Sequence, residues 1–120
     1  MKIRIIYEDY PGLIKEIKDR VRKKEFATWE VVSSKSDTGG QVTRIVHNGE
    51  DKQYSMVELG LFSPKAGSIS GHVDIIPKKK LTTDITDDEF HKKSLVVIGR
   101  FCEVLNRYFP QINEYTVYTK

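Results

Sequence analysis

The chain is expected to fold as an α+β two-layer domain: a mostly antiparallel sheet of about six strands, in the order β-α-β-β-β-β-α-β, with two helices packed on one face. Three observations predict this. Four strand-like segments follow one another between residues 25 and 76 without a helix. Residues 86–109 carry a long amphipathic helical pattern behind a capping signal. A shorter helical pattern follows the first strand-like run. At 120 residues, 38% hydrophobic and 31% charged, the chain has material for one core, so residues 1–120 form a single domain.

"KIRIIYE" (2–8) reads as a strand covered on both faces, since Ile3, Ile5 and Ile6 break strict alternation. It lacks the small-residue cleavage site of a signal peptide. Asp9 then caps a helix with Pro11 in its first turn, running to about Lys24. Leu13, Ile14, Ile17 and Val21 form its narrow apolar stripe, and Glu16–Arg20 is a favourable i,i+4 pair.

"EFATWEVVSS" (25–34) alternates as a strand, with Ala27, Trp29 and Val31 on one side, and "SKSDTGGQ" (34–41) reads as a loop. "VTRIVH" (42–47) and "QYSMVELGLF" (53–62) read as a hairpin about Asn48-Gly49. A strict two-residue turn would set Ile45 opposite Lys52, whereas a longer loop pairs the apolar residues better. "SPKAG" (63–67) is a turn. "SISGHVDII" (68–76) is a strand that places Ile69, Val73 and Ile75 opposite Ser70, His72 and Asp74 and stops at Pro77.

Thr86 and Glu89 form a capping box, and Asp87 and Asp88 suit a helix N-terminus. Phe90, Leu95, Val97, Ile98, Phe101, Cys102, Val104, Leu105, Tyr108 and Phe109 then fill about half the helix circumference, with Val96 alone misplaced. That width marks the main cover of the sheet. Pro110 ends the helix, and "NEYTVYT" (113–119) is a last strand, expected beside the first near the sheet's middle.

Composition excludes several classes. No apolar run approaches the roughly 20 residues of a membrane span. One cysteine, Cys102, forms no internal disulfide and is expected to pack as a small hydrophobe, so the reading is cytoplasmic. No GxSxG, GxGxxG, P-loop, HxH or HExxH pattern occurs, which argues against a cofactor or a metal site at His47, His72 and His91.

Two polar groups invite a functional reading. His72 and Asp74 share a strand face about 7 Å apart, which makes them weak candidates for acid–base catalysis or a solvated sheet face. Lys78, Lys79 and Lys80, with Lys15, Lys18 and Arg22 on the first helix, would track a phosphate backbone if they faced the same way. Net charge is only +3, and lysines that flank strands also guard sheet edges.

The leading expectation comes from the sheet itself. Two helices cover one side, leaving a second apolar face around Trp29, Tyr54 and Met56 with Arg44 and Glu58 as charged rim. Such a patch marks a contact surface. The function expected is therefore a non-enzymatic protein-binding module of the inhibitor, immunity or accessory kind, binding another protein or itself. A nucleic-acid-binding or nucleic-acid-processing protein is the alternative.

Overall fold

The computed structural model describes residues 1–37, 40–49, 52–63, 71–80 and 84–119, with only the backbone described for 33–37 and 40–42. Six strands form one antiparallel sheet in the order β2-β3-β4-β5-β1-β6. The strands are β1 (Lys2–Ile6), β2 (Trp29–Asp37), β3 (Gly40–His47), β4 (Val57–Phe62), β5 (His72–Lys79) and β6 (Tyr115–Tyr118); the helices are α1 (Tyr10–Arg22) and α2 (Asp87–Tyr108). The α+β class, the element order and the one-sided placement of both helices are as the sequence predicts.

Alternation along each strand explains the layering. Ile3 and Ile5 of β1, Ile45 of β3, Val57, Leu59 and Leu61 of β4, and Val73 and Ile75 of β5 all point to one side. There they meet Leu13, Ile17 and Val21 of α1 and Val97, Ile98, Phe101 and Leu105 of α2 in one core. Burying a side chain of this size stabilises the fold by about 1.5–3 kcal/mol.

The helix starts are set by local chemistry. Asp9 accepts from the Gly12 N–H at 3.2 Å, and Thr86 Oγ1 accepts from the Glu89 N–H at 3.1 Å. Each side chain satisfies a donor that the helix leaves unpaired. Arg20 joins the two helices: its Nη1 donates to the Tyr108 carbonyl at 2.8 Å, at the negative end of α2.

Four expectations are corrected. Residues 34–37 and 40–41 are strand and not loop, with Asp37 opposite Gly40; residues 38–39 between them lie outside the described set. Pairing along the β2–β3 ladder overrides the turn-forming composition. Tyr54 and Met56 lie on a short 3-10 helix, Lys52–Met56, so β4 begins only at Val57. Its register sets Ile45 opposite Leu59, the longer-loop pairing. β5 also continues through Pro77, which faces Leu59 of β4. The β1–β5 ladder ends at Ile75, so Pro77 has a partner on one side only and its missing N–H need break no ladder.

The fourth correction concerns position. β6 pairs with β1 as expected, yet it is an edge strand and not central. β1 lies beside β5, and α1 carries the chain across the covered face from β1 to β2 at the opposite edge. The expected 63–67 turn falls mostly on residues outside the described set, as does Ile69.

Candidate functional site

The face opposite the helices is built by the other residue of each alternating pair. Strand register arranges it in rows. Glu30, Val46, Glu58 and Lys78 cross β2 to β5; Phe62 and Asp74 cross β4 to β5 and continue to Arg4 and Thr116 on β1 and β6; His72 and Ile6 form the last pair.

Asp74 is the electrostatic centre. Arg4 Nε and Nη2 donate to its two carboxylate oxygens at 2.7 and 2.9 Å, Lys2 Nζ stands 3.6 Å away, and His72 Nε2 3.9 Å. The forked bond from Arg4 holds the Asp74 carboxyl below its ordinary range, with Lys2 adding to the effect. Asp74 is therefore an ionised anchor for two cations. Its closest bonds go to Arg4 and not to the imidazole, so His72 has no carboxylate set to orient it as a base.

Apolar groups surround this centre. Ile6 is 57% exposed and Tyr118 43%. Lys2 Nζ lies 5.4 Å from the Tyr118 ring centroid. The strand expected to be covered on both faces is thus bare at Ile6, and the break in alternation at "IRII" was the signal for it.

The other expected contact residues sit differently. Trp29 is 2% exposed and lies on the helix side, edge-on to Phe101 at 5.3 Å and to His47 at 5.1 Å. It is a core residue because it shares the covered face with Val31, the two standing opposite His47 and Ile45 of β3. Tyr54 is half-buried beneath Arg100, whose guanidinium is 4.7 Å from its ring centroid. Met56 is exposed at the rim. Glu58 belongs to the open face but is 6% exposed, with Arg44 Nη1 at 3.8 Å, and neighbouring Val46 is 7% exposed. The open surface is therefore the β5–β1–β6 end, not the Trp29–Tyr54–Met56 region.

The basic groups do not form one surface. Lys78 points to the open face, with its Nζ 5.8 Å from the Phe62 ring centroid. Lys79 bonds Asp87 at 2.7 Å in the first turn of α2. Lys15, Lys18 and Arg22 ride on α1, across the sheet from Lys78.

The histidines are dispersed as well. His91 is exposed in the first turn of α2, His72 is on the open face, and His47 is buried on the covered one. Among the described residues no three metal-ligating side chains come together. Cys102 is half-buried, and burial pushes its thiol up, away from the reactive range. Comparison with protein-family models, curated proteins and solved structures found no significant match. Among the described residues no helix is long and apolar enough to cross a membrane.

His47 gives a pH prediction. Arg100 Nη1 is 3.3 Å from its Nδ1, and a guanidinium can only donate, so Nδ1 accepts and the imidazole is neutral. Burial first, then the Arg100 charge, pull its pKa below the ordinary value of 6.5. The unfolded chain then binds more protons than the folded one as pH falls through about 6.5, so stability drops on acidification and levels off below the folded pKa. Thermal midpoints between pH 7.5 and 5 should fall for the native chain and flatten in His47→Gln. An unchanged slope in that variant would refute the assignment.

Proposed function

We propose that the chain is a non-enzymatic protein-binding module that receives its partner on the open sheet face at the β5–β1–β6 end. One observation carries this reading: Ile6 and Tyr118 are bare on a face that neither helix covers, on either side of the Asp74 cluster. Exposed apolar side chains around a fixed polar centre are how contact surfaces combine affinity with register. At this end Lys2 and Arg4 bring two cations against the carboxylate of Asp74, while Lys78 stands opposite Glu58 of β4. The partner is accordingly a protein surface with acidic side chains around an apolar patch. Dispersal of His47, His72 and Cys102 favours binding over catalysis. The kinds of protein that use such a small domain, inhibitors, immunity-type proteins and accessory subunits, enter by analogy of architecture alone.

The test compares the native chain with Ile6→Glu and Tyr118→Glu, both of which alter exposed side chains. Affinity capture and light scattering after size exclusion should show one partner, or self-association, at fixed stoichiometry, lost in both variants while their thermal midpoints stay put. A strict monomer that retains no protein, or a partner held equally by the variants, defeats the reading. Salt-dependent capture of RNA or DNA that vanishes when Lys78, Lys79 and Lys80 become glutamine would replace it with the nucleic-acid alternative.

A further inference from the structure

The covered side of the sheet holds a cleft that this reading leaves unused. It has a volume of ≈ 330 Å³ and opens beside the start of β2, between Trp29 and His47 on the sheet side and Arg100, Glu103, Arg107 and Tyr108 on α2. Phe26 also lines it, tilted against Tyr108 with ring centroids 4.7 Å apart.

Among the described arginines, the two in this cleft combine an aromatic seat with the lack of an ion-paired carboxylate. Arg4, Arg20 and Arg44 each have a carboxylate within 4.0 Å. Among the described residues three arginines have none: Arg22, exposed on α1 without a ring contact, and the two of this cleft, Arg100 and Arg107. Both rest on aromatic rings instead, Arg100 at 4.7 Å from the Tyr54 centroid and Arg107 at 5.4 Å from that of Tyr108. A guanidinium held over a ring keeps N–H donors at its edge for a planar oxyanion.

The two arginines are seven residues apart, about two helical turns, so both project on one side of α2. Glu103 lies between them, three residues after Arg100 and four before Arg107, without closing on either within ion-pair distance among the described contacts. His47 Nδ1 accepts from Arg100 and fixes one edge of that guanidinium. The result is a pair of ring-seated cations without an ion-paired carboxylate in a recess also lined by Phe26, Trp29 and Tyr108.

We propose that this cleft binds a small organic anion, its carboxylate or phosphate group held by Arg100 and Arg107 and its apolar body lying against Phe26 and Tyr108. The chemistry required is a planar or tetrahedral oxyanion on an aromatic body small enough for the recess. Glu103 offsets part of the positive charge that the two arginines present to that head group.

Trp29, the chain's one tryptophan, lines the cleft and reports occupancy through its fluorescence. The intact chain is titrated with phenyl phosphate, benzoate, inorganic phosphate and benzyl alcohol. Phenyl phosphate or benzoate should give a saturable change, and whichever binds more tightly identifies the head group. Inorganic phosphate should bind more weakly, and benzyl alcohol should give no saturable change. Arg107→Gln and Arg100→Gln should each weaken the aromatic anion about tenfold, as loss of one charge-assisted contact implies. Glu103→Gln should tighten it, and Arg22→Gln, which removes the same charge from exposed α1, should leave it unchanged. Arg107 is exposed, so its variant tests the site without disturbing the core. No saturation by either aromatic anion, equal binding of benzyl alcohol, or equal weakening by Arg22→Gln and Arg107→Gln would overturn the proposal.

Discussion

Phe101→Ala is expected to destabilise the fold by about 3–5 kcal/mol, the range for emptying a fully buried phenylalanine site. Phe101 is fully buried at the centre of α2's sheet-facing side and lies edge-on to Trp29, with 74° between the rings. Alanine removes the apolar burial and leaves a void that Trp29 can fill only by leaving its contact with His47. Aromatic pairing of this kind adds about 0.5–1.5 kcal/mol beyond area alone. Domains typically have about 5–15 kcal/mol in total, so much of the margin goes with one side chain. Urea unfolding measures it, with Leu95→Ala as comparison, since Leu95 is on the same helix but 41% exposed. Equal losses from the two would mean that α2 does not seat on the sheet through Phe101.

Alanine at two glycines should act with opposite signs. At Gly71 a Cβ would stand 2.8 Å from the Tyr7 carbonyl oxygen and 3.1 Å from that of Glu8. These are backbone atoms held in place, because the Tyr7 N–H donates to the Gly71 carbonyl at 3.2 Å. β5 starts one residue later, so the clash must open the junction where β5 meets the end of β1; a cost of about 1–3 kcal/mol follows from overpacking. At Gly99, exposed in the middle of α2, a Cβ meets nothing within 4 Å. Gly99→Ala gains about 1 kcal/mol from helix propensity alone. The same unfolding measurement checks both, and a stabilising Gly71→Ala would show that the β1–β5 junction is not packed as described.

Legibility followed the range of the interactions. α2 was readable because its cap, its charged first turn and its apolar periodicity are all written within 24 consecutive residues, Thr86 to Phe109. Thr86 caps it, and Val97, Phe101, Val104 and Leu105 face the core as their spacing requires. The helix is less greasy than the pattern suggested, since Leu95 joins Val96 in solvent. Residues 34–37 and 40–41 read as loop because serine, aspartate and glycine signal a turn locally, whereas the β2–β3 ladder supplies hydrogen bonds from a partner strand. Tyr54 and Met56 read as strand because alternation over a few residues cannot be told from a single 3-10 turn.

The candidate surface was legible in kind but not in place. Counting helices against strands said that one sheet face would lack a helix. Which residues occupy its bare end depended on β1 entering beside β5 with Ile6 opposite His72, a pairing between residues 66 positions apart in sequence. The arginine cleft was invisible for the same reason: nothing near Arg100 or Arg107 announces that His47 and Trp29 lie across from them.

The amino-acid order alone determined the two long helices with their caps and the alternation of β5, whose Val73 and Ile75 are core while His72 and Asp74 face the other side. These depend on contacts within a turn or two of chain. Tertiary structure alone decided which strands are neighbours, which carboxylate each cation meets and which arginines are left without one. Those outcomes depend on pairing over long sequence separations, where the free energy belongs to the assembled sheet and not to any one segment.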